Sequence, residues 1–383
     1  MKQSFLLIAF GIFNDISCCG FIPIARSRKR RIASLKSTST RQQQQQQQQQ
    51  HPAATDAVYQ PLLDAVQHSQ ITLSSTETFR IFHGRGGCYP GCEHLTLDWF
   101  PPVFVLTNFR ALLTDNELQR IENALTQKWN AVVSNRDKAT DVLITVSEQM
   151  SWVYQNRDQN NVTTKIMSGE IPEPHIVTEN GNRYWIQTIS ESDNKRHIGL
   201  FLDMANGRRW LQENADGKFI LNLFSYTCAF SVAALQGGAE EVVNVDKVQG
   251  VIKIGQRNHE LNNVVDGARF MSHDIFKSWG KVKKLGPFDI IVADPPSYQK
   301  GSFIAKKDYG KLIRRLPDLL TENGQALLCL NAPELDSQFL KDLVAEEAPQ
   351  LKFVQRLENP ESFPSRNSER ALKVLLFQLA SEK

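Results

Sequence analysis

Short apolar runs that alternate with helical segments dominate the sequence after Arg196. Five of these runs have the length of buried strands, and each is followed by a polar or small-residue loop: ILNLF, VVNVD, ARFMSHD, FDIIVAD and QALLCLN. Near-continuous apolar strands separated by helices are typical of a parallel sheet that is covered on both faces. The closing runs LKFVQRLENP and RALKVLLFQLA predict two more strands that pair antiparallel at the edge. We therefore predict an α/β fold with a Rossmann-like, doubly wound, mixed seven-stranded sheet.

The segment before this sheet predicts a smaller α+β domain. FPPVFVLTNF and DVLITVSEQ have strand-like patterns, and HIVTENGNRYWIQTI predicts a hairpin that turns at Asn180 and Gly181. Thr114 is placed to cap a helix, with Glu117 at the capping-box position. The predicted divisions are a leader, a linker, the α+β domain and the sheet domain, at 1–55, 56–75, 76–190 and 191–383.

The first 55 residues have the composition of a targeting leader. Lys2, the apolar run FLLIAFGIF and the small residues that follow have the order of a secretory signal, and a basic, Ser/Thr-rich tract comes next. This arrangement resembles the two-part plastid presequence of algae with secondary plastids. A mitochondrial presequence and a nuclear-localisation-like RSRKRR patch are the alternatives. The tract Gln42–Gln50 is of low complexity and predicts a disordered spacer.

The charge balance changes when this leader is set aside. The chain of 383 residues has a net charge of +3, but residues 1–55 hold eight Lys/Arg and one acid, which leaves the remainder at −4. A globally basic nucleic-acid binder is therefore excluded, and any RNA-binding surface must be a local patch. The predicted patch consists of Lys300, Lys306, Lys307, Lys311, Arg314 and Arg315. The alternative interpretation of these cations is a solvated helix face. Arg85 in the HGRGG loop could extend the patch.

Cysteine usage and hydropathy exclude other classes of protein. Outside the leader the cysteines are Cys88, Cys92, Cys228 and Cys329. The last two lie in patterns of buried elements, which argues against a disulfide framework. Cys88 and Cys92, with His83 and His94, could be taken for a zinc site, but the spacing is loose and a second cysteine pair is missing, so we predict no metal. No run approaches the roughly 18 apolar residues that cross a bilayer, and no membrane partner is predicted.

The residues that follow the strands carry the candidate chemistry, because doubly wound sheets bind ligands beyond the carboxyl ends of their strands. NLFSYTCAFS predicts a tight turn before a helix whose free amide groups favour a polar or anionic ligand group. Asp246 ends the second strand, where it could hold two ribose hydroxyls, and Asp274 after the third could accept from an adenine amino group. DPPSY follows the fourth strand, where its prolines would fix Asp294 toward a planar amine or base and Tyr298 offers a face for stacking. One strand-terminal Asp is often only a helix cap, but this order of motifs is specific.

These segments resemble a class I S-adenosylmethionine-dependent methyltransferase. More narrowly, they resemble the bacterial large-subunit rRNA methyltransferase group that includes the 5-methylcytosine and 7-methylguanine enzymes. The likeness covers residues 80–383, through HIGLFLDMANGRRWL, LNLFSYTCAFSVAALQGGA, VNVD, DPPSYQKGSF and KDYGKLIRRLPDLL. It implies S-adenosylmethionine as cofactor and an RNA, most directly rRNA, as substrate.

The resemblance also implies which residues bind the donor and which face the acceptor. The implied donor-binding residues are Phe201, Asp203, Arg208, Asn222, Phe224, Ser225, Tyr226, Thr227, Cys228, Asp246, Lys247, Asp274, Ile275 and Asp294. The implied catalytic residues are Asp294, Pro295, Pro296, Tyr298 and Asn331.

The chain departs from the family pattern at two places. Met204 and Ala205 stand where the family often has Gln-Arg, and Cys228 and Ala229 replace the usual Gly-Gly. The second exchange is tolerable if the loop needs close approach to the methionine end of the donor rather than a positive φ. We expect Cys228 to be a small packing residue rather than a nucleophile.

The nature of the base follows from what each reaction needs. Carbon-5 methylation of cytosine requires a thiolate that attacks carbon-6. The related cytosine enzymes carry this thiol near the place of Asn331, whereas Cys329 here lies two residues earlier and is expected to be buried. A guanine nitrogen already has a lone pair, so positioning and desolvation suffice. We therefore predict nitrogen methylation of guanine over carbon methylation of cytosine, with Asn331 as a hydrogen-bond partner of the base.

Other functions remain open at this point. An Asp-Pro-Pro turn also holds a glutamine amide, so a protein or small-molecule methyltransferase on the same fold is an alternative, as is a catalytically idle RNA-binding relative. A nicotinamide-dependent oxidoreductase would need a glycine fingerprint in the first turn and would leave DPPSY unexplained. The sequence does not define the oligomeric state.

Overall fold

Two β-sheets organise the part of the chain that the structure describes. The structure is a computed structural model, and it describes residues 58–73, 76–135, 149–157, 162–189, 198–299 and 303–380. The predicted leader and the greater part of the DVLITVSEQ strand lie outside these residues. Within the described ranges, no helix is both long and apolar enough to cross a bilayer.

The first sheet has five strands in sequential order. Its strands are β1 (Phe79–His83), β2 (Leu95–Phe100), β3 (Val103–Asn108), β4 (Ser151–Arg157) and β5 (Val162–Ser168). Neighbours pair antiparallel except β3 and β4, which are parallel. A parallel pair needs a crossover, and helix α2 (Asp115–Ser134) lies between these two strands in the chain. The predicted FPPVFVLTNF strand is β3.

Helix α2 begins where the sequence predicts. The Glu117 backbone N–H donates to Thr114 Oγ1 at 3.3 Å, and the Thr114 N–H donates to Glu117 Oε2 at 2.7 Å, so the capping box is confirmed. Helix α1 (Gln60–His68) packs beside it, with Leu62 and Val66 buried in the core under the first sheet. This helix lies in the segment that was predicted to be a linker. Its two buried side chains are four residues apart and share one helix face, which explains why the segment folds.

A hairpin of β6 (His175–Glu179) and β7 (Asn182–Ile186) follows the first sheet. Asn180 and Gly181 both have positive φ, 51° and 76°, as a two-residue turn of this hand requires. The predicted hairpin and its turn are confirmed.

The second sheet has seven strands in the order β10-β9-β8-β11-β14-β16-β15. These strands are β8 (Phe219–Leu223), β9 (Glu241–Asp246), β10 (Ala268–Ser272), β11 (Phe288–Ala293), β14 (Leu320–Leu330), β15 (Leu351–Leu357) and β16 (Lys373–Leu379). The first five in the sheet order are parallel, and β16 pairs antiparallel with both β14 and β15. The predicted mixed seven-stranded sheet and its closing antiparallel pair are confirmed.

Helices cover both faces of this sheet. They are α3 (Ala205–Asn214), α4 (Ala229–Gln236), α5 (Gln249–Leu261), α6 (Trp279–Lys283), α7 (Ala305–Ile313) and α8 (Ser337–Glu347). Leu221 and Ile291 point into the core under α7 and α8, whereas Ile220 and Ile290 point into the core under α3 and α4. Because successive side chains of a strand alternate between faces, two apolar faces require the continuous apolar runs in the sequence. A short β12–β13 hairpin (Tyr298–Gln299, Phe303–Ile304) follows β11.

Candidate active site

A cavity of about 880 Å³ lies at the carboxyl ends of the parallel strands. The chain runs outward from β8 to β10 and then returns to form β11 on the other side of β8, so the loops after β8 and β11 diverge at a topological switch point. The cavity is lined by residues that follow or end five strands: Phe224, Asp246, Asp274, Asp294 and Asn331. The structure therefore brings together all the predicted catalytic residues and all but two of the predicted donor-binding residues. Their roles stay predictions.

The loop after β8 has left-handed backbone at alternate residues. Phe224, Tyr226 and Cys228 have φ of 57°, 48° and 60°. Each such position costs a non-glycine residue about 1 kcal/mol or more, so neighbouring hydrogen bonds must hold it. The Ser225 N–H donates to Val245 O at 3.1 Å, and the Cys228 N–H donates to Ser225 O at 2.7 Å. The condition under which the exchange of glycine for Cys228 was expected to be tolerable, a loop without positive φ, is therefore not met at this residue.

The Cys228 side chain is one of the two predicted donor-binding side chains that do not line the cavity. It is fully buried, and burial raises the pKa of its thiol to about 12. It packs on α5, where a Cβ added at Gly255 would lie 2.5 Å from the sulfur. Gly255 thus makes the space for this thiol, and Cys228 packs in the interior as a small side chain.

Asn222 is the other exception. It lies on β8, on the same face as Ile220, and is almost completely buried. Its Nδ2 donates to Asn244 Oδ1 at 2.9 Å, and Asn244 Nδ2 donates to Ser231 Oγ at 2.9 Å. The strand pleat directs Asn222 into this interior network and away from the cavity, which corrects its assignment as a donor-binding residue.

Asp246 organises the side of the cavity that is predicted to bind the donor. Its Oδ2 accepts from the Tyr226 N–H at 2.9 Å, and its Oδ1 accepts from the Val248 N–H at 2.8 Å. An ionised carboxylate has about four lone-pair sites, so each oxygen keeps capacity for a further donor such as a ribose hydroxyl. The same side chain therefore fixes the loop after β8 and remains able to bind a ligand. Lys247 lines the cavity next to it.

Asp274 has the capping role that was weighed against ligand binding. Its Oδ1 accepts from the Phe276 N–H at 3.0 Å and caps the 3₁₀ turn Ile275–Lys277. It also lines the cavity, together with Ile275. A carboxylate that uses one oxygen for a cap still presents the other, so both roles are compatible.

The side of the cavity that is predicted to face the acceptor is formed by the loops after β11 and β14. Ser297 Oγ donates to the backbone oxygen of Asn331, which ties the two loops together. Tyr298 is 70% exposed, so its ring is accessible for stacking. Asn331 is exposed and faces the cavity, whereas Cys329 is fully buried and burial raises its pKa well above the ordinary value. Among the described residues, no cysteine lines this cavity.

Asp294 has an unusual electrostatic environment. Burial and, to a smaller extent, the nearby carboxyl of Asp203 raise the pKa of its carboxyl to about 7, although Arg208 opposes the shift. Burial also raises the pKa of Asp203. A carboxyl that titrates near neutral pH in a cleft is a common property of functional sites.

Arg208 lines the cavity but its contacts are to the protein. Its Nε and Nη2 donate to the two carboxylate oxygens of Glu179 at 2.6 and 2.7 Å, and Nη2 also donates to Phe201 O at 2.7 Å. The pair is almost completely buried. We therefore revise the predicted donor-binding role of Arg208 to one of positioning the segment that contains Phe201 and Asp203.

The predicted cationic patch lies on an exposed face. Lys306, Lys307 and Arg315 are exposed, but Lys311 pairs with Asp308 at 2.8 Å, and Arg314 pairs with Glu347 at 2.6 Å. These two pairs offset part of the predicted charge. Lys300 lies outside the described residues.

The HGRGGCYPGCEH segment does not converge on a metal. Cys92 donates its thiol hydrogen to Val58 O at 2.9 Å, and His83 Nδ1 lies 2.9 Å from Arg80 Nη1. Within the described ranges, no three His, Cys, Asp or Glu side chains have an arrangement that could hold a metal ion.

A second cavity, of about 750 Å³, was not predicted from the sequence. It lies between the first sheet and the segment before β16, and Asp203 and Asn331 line both cavities. Its lining includes Arg80, Arg157 and Arg366 in addition to Arg85. In the sequence, only the glycine-rich HGRGG loop with Arg85 pointed to this cavity. The other arginines that line it lie on strands and on a loop that are distant from Arg85 in sequence.

The fold and the strand-end site are typical of a Rossmann-like enzyme that binds a nucleoside-containing ligand. The profile of the S-adenosylmethionine-dependent methyltransferase family matches residues 79–378, and the chain belongs to this family. This family comprises methyltransferases that depend on S-adenosylmethionine as cofactor. The residues fit this cofactor, because the cavity has the size of a small-molecule site and Asp246 keeps acceptor capacity toward it.

The relatives by sequence carry the names of ribosomal RNA methyltransferases. Ribosomal RNA large subunit methyltransferase I of Aeromonas hydrophila is 32% identical over 225 residues, which is 56% of each chain. Ribosomal RNA large subunit methyltransferase K of Neisseria meningitidis is 32% identical over 217 residues, or 54% of this chain and 58% of that protein. The chain thus aligns with little more than half the length of these relatives.

Solved structures support the fold. SMU.776, described as a methyltransferase and solved in complex with SAH, has a TM-score of 0.65 and 25% identity, and the match covers 84% of this chain and 79% of that chain. A methyltransferase structure from Agrobacterium tumefaciens has a TM-score of 0.53 at 16% identity, over 76% of this chain and 88% of that chain. The second likeness concerns the fold alone.

Proposed function

We propose that this protein methylates a guanine nitrogen in RNA, and that the RNA is ribosomal. The sequence relatives that carry the name of large-subunit rRNA methyltransferases support the substrate class. The observation that carries the choice of atom is the composition of the acceptor side, where Asp294 and Asn331 line the cavity and Cys329 is buried behind it.

The acceptor side suits guanine for two chemical reasons. An ionised Asp294 accepts hydrogen bonds only, and guanine offers N1–H and N2–H side by side on one edge, whereas cytosine places the N3 lone pair beside its amino group. A guanine nitrogen also needs no covalent activation, while carbon-5 of cytosine needs a thiolate, and no cysteine among the described residues lines the cavity.

The residues of this chain position the reactants. S-adenosylmethionine supplies an electrophilic methyl group on a sulfonium. Asp246 and the loop after β8 hold the donor. Asp294 orients the base by accepting a hydrogen bond from one of its N–H groups, while water is excluded. These residues would thereby place the nitrogen lone pair to accept the methyl group from the sulfonium, and Asp294 would take up a proton that the methylated nitrogen loses.

Replacement of Cys329 by Ala tests this proposal. We expect the variant to retain methyl transfer, because the thiol is buried and its raised pKa keeps it protonated. Asn331→Ala, two residues along the same strand end, is the matched comparison and should lower the rate. The measurement is transfer of labelled methyl groups to an unmodified large-subunit rRNA transcript, followed by nucleoside mass spectrometry. Labelled 5-methylcytidine, or loss of activity in Cys329→Ala with intact folding, would contradict nitrogen methylation.

A protein substrate is the second candidate. A glutamine amide can occupy an Asp-Pro-Pro turn because it is also planar and donates through an amino group. Labelled methyl groups in a ribosomal protein fraction, with none in rRNA, would favour it.

We also propose that the leader directs the protein to a plastid, with the mitochondrion as the alternative. The order of an apolar signal-like run and a basic, acid-free tract in residues 1–55 supports this proposal. A fluorescent protein fused to residues 1–55 should accumulate in the plastid of an alga with a secondary plastid. Mitochondrial or nuclear fluorescence would contradict this localisation.

A further inference from the structure

The second cavity is rich in arginine. Among its described lining residues, the arginines are Arg80, Arg85, Arg157, Arg366 and Arg370, and the carboxylates are Glu93, Asp98 and Asp203. Arg80 is already paired with Asp98, through hydrogen bonds of 2.7 and 3.0 Å. Among the described ion pairs, neither Arg85 nor Arg157 has a carboxylate partner. The cavity therefore has an excess of positive charge.

Two of these arginines lie over the same aromatic ring. The guanidinium carbons of Arg85 and Arg157 are 4.1 and 5.7 Å from the centre of the Phe109 ring. Arg80 lies over Phe363, at 4.4 Å. An arginine supported by a ring keeps its N–H donors for a planar or tetrahedral anion, and its fork geometry matches phosphate oxygens.

The protein fixes these groups at an electrostatic cost. Gln155, a buried residue of β4, accepts from Arg157 Nε at 2.7 Å, which orients the guanidinium. Burial and the neighbouring arginines lower the pKa of Arg157 to about 10, and the pKa of Arg85 is also lowered by burial and by Arg80. Clustering like charges in a cavity is unfavourable unless an anion compensates them.

The turn that carries Arg85 packs closely against the segment before β16. A Cβ added at Gly86 would lie 1.8 Å from Pro364 O, and the Arg366 N–H donates to Gly86 O at 2.9 Å. This contact closes one side of the cavity and brings Arg366 to the same wall as Arg85.

We propose that the second cavity binds a backbone phosphate of the RNA next to the methylated nucleotide, with Arg85 and Arg157 as the phosphate ligands. The inference rests on the proposed RNA substrate. Asp203 and Asn331 line both cavities, so a base held at Asp294 has its sugar-phosphate directly beside the arginines. A strand that enters this way is held by its phosphates while the target base enters the first cavity.

The double variant Arg85→Gln/Arg157→Gln tests the inference. We expect KM for an unmodified large-subunit rRNA transcript to rise at least about tenfold. The magnitude of the slope of log affinity against log salt should fall by about 0.7, which corresponds to the loss of one phosphate contact. The matched control is Arg257→Gln/Lys341→Gln, which removes two cations that lie over Trp185 and Phe353 outside both cavities. It should leave KM and the slope unchanged.

The outcomes separate this inference from the proposed function. If the wild-type protein methylates no RNA, the proposed function fails. If it methylates rRNA and the double variant keeps the wild-type KM and salt slope, the phosphate site fails. S-adenosylmethionine binding by calorimetry reports whether the double variant is folded. If the double variant is not folded, the single variant Arg85→Gln is tested in its place. On the wild-type protein, saturating rRNA should slow modification of Arg85 by a dicarbonyl reagent at least fivefold, and equal modification rates would overturn the inference.

Discussion

Replacement of Asp294 by Asn is expected to lower the rate constant for methyl transfer about 10²–10³-fold, which is the usual effect of removing one preorganised polar group from a transition state. S-adenosylmethionine affinity should be preserved, because the proposed donor ligands are Asp246 and the loop after β8, which the substitution leaves unchanged. The reason is electrostatic. As the nitrogen becomes methylated it gains positive charge, and an ionised carboxylate stabilises that charge where a neutral amide does not.

The pH dependence of the wild-type protein provides a second measurement. Because the pKa of Asp294 is raised to about 7, the carboxylate form is lost as pH falls through 7, and the rate should fall with it. Asp294→Asn should lack this dependence. Asp203→Asn is the informative comparison. Because removing the Asp203 charge should lower the pKa of Asp294, the pH profile of this variant should lie at lower pH than the wild-type profile. An Asp294→Asn rate equal to the wild-type rate, or an unchanged pH profile, would contradict the assigned role.

The seven-stranded sheet and the position of its strand-end acids could be predicted from the sequence, each by one physical rule. A strand covered on both faces must be apolar at every position, and ILNLF and FDIIVAD satisfy this rule because Ile220 and Leu221 enter opposite cores. The strand-end acids could be located for a related reason, since parallel strands place their carboxyl ends at one edge of the sheet. The positions of Asp246 and Asp294 thus follow from pattern alone.

The second cavity and the loop geometry could not be predicted in this way. Arg80, Arg157 and Arg366 come from two strands and a loop that meet only in the folded chain. The Cys228 side chain needs the space left by Gly255 on another helix, and the positive φ of Cys228 does not follow from its residue type. Asn222 was misplaced because a sequence motif does not show which face of the strand a polar side chain occupies.

The buried pair of Arg208 and Glu179 is the structural link between the hairpin and the active site. Glu179 ends β6 on the hairpin, and Arg208 donates both to it and to Phe201 O beside the cavity. Arg208 of the HIGLFLDMANGR segment therefore lines the cavity while its Nε and Nη2 groups donate to the protein rather than into the cavity. The ion pair fixes the position of Phe201 and Asp203, and through Asp203 it influences the pKa of Asp294.

Glu179→Ala is therefore expected to lower the free energy of unfolding by about 3–5 kcal/mol, because it leaves the Arg208 charge buried without its partner. Asp318→Ala is the matched control. It removes an acid from the exposed Lys283–Asp318 pair, whose nitrogen and oxygen are 3.6 Å apart. That change should cost about 0–1 kcal/mol. Urea unfolding followed by tryptophan fluorescence measures both.

The apolar double variant Glu179→Leu/Arg208→Met separates stability from positioning. Replacing both charges with side chains of similar volume should recover much of the stability lost in Glu179→Ala, because no unpaired charge remains. S-adenosylmethionine affinity should be lower than that of the wild-type protein, because Phe201 O loses its hydrogen bond from Arg208 and the segment beside the cavity is no longer fixed. Recovery of both properties would show that the pair contributes stability alone, and an effect of Glu179→Ala as small as that of Asp318→Ala would contradict the buried ion pair itself.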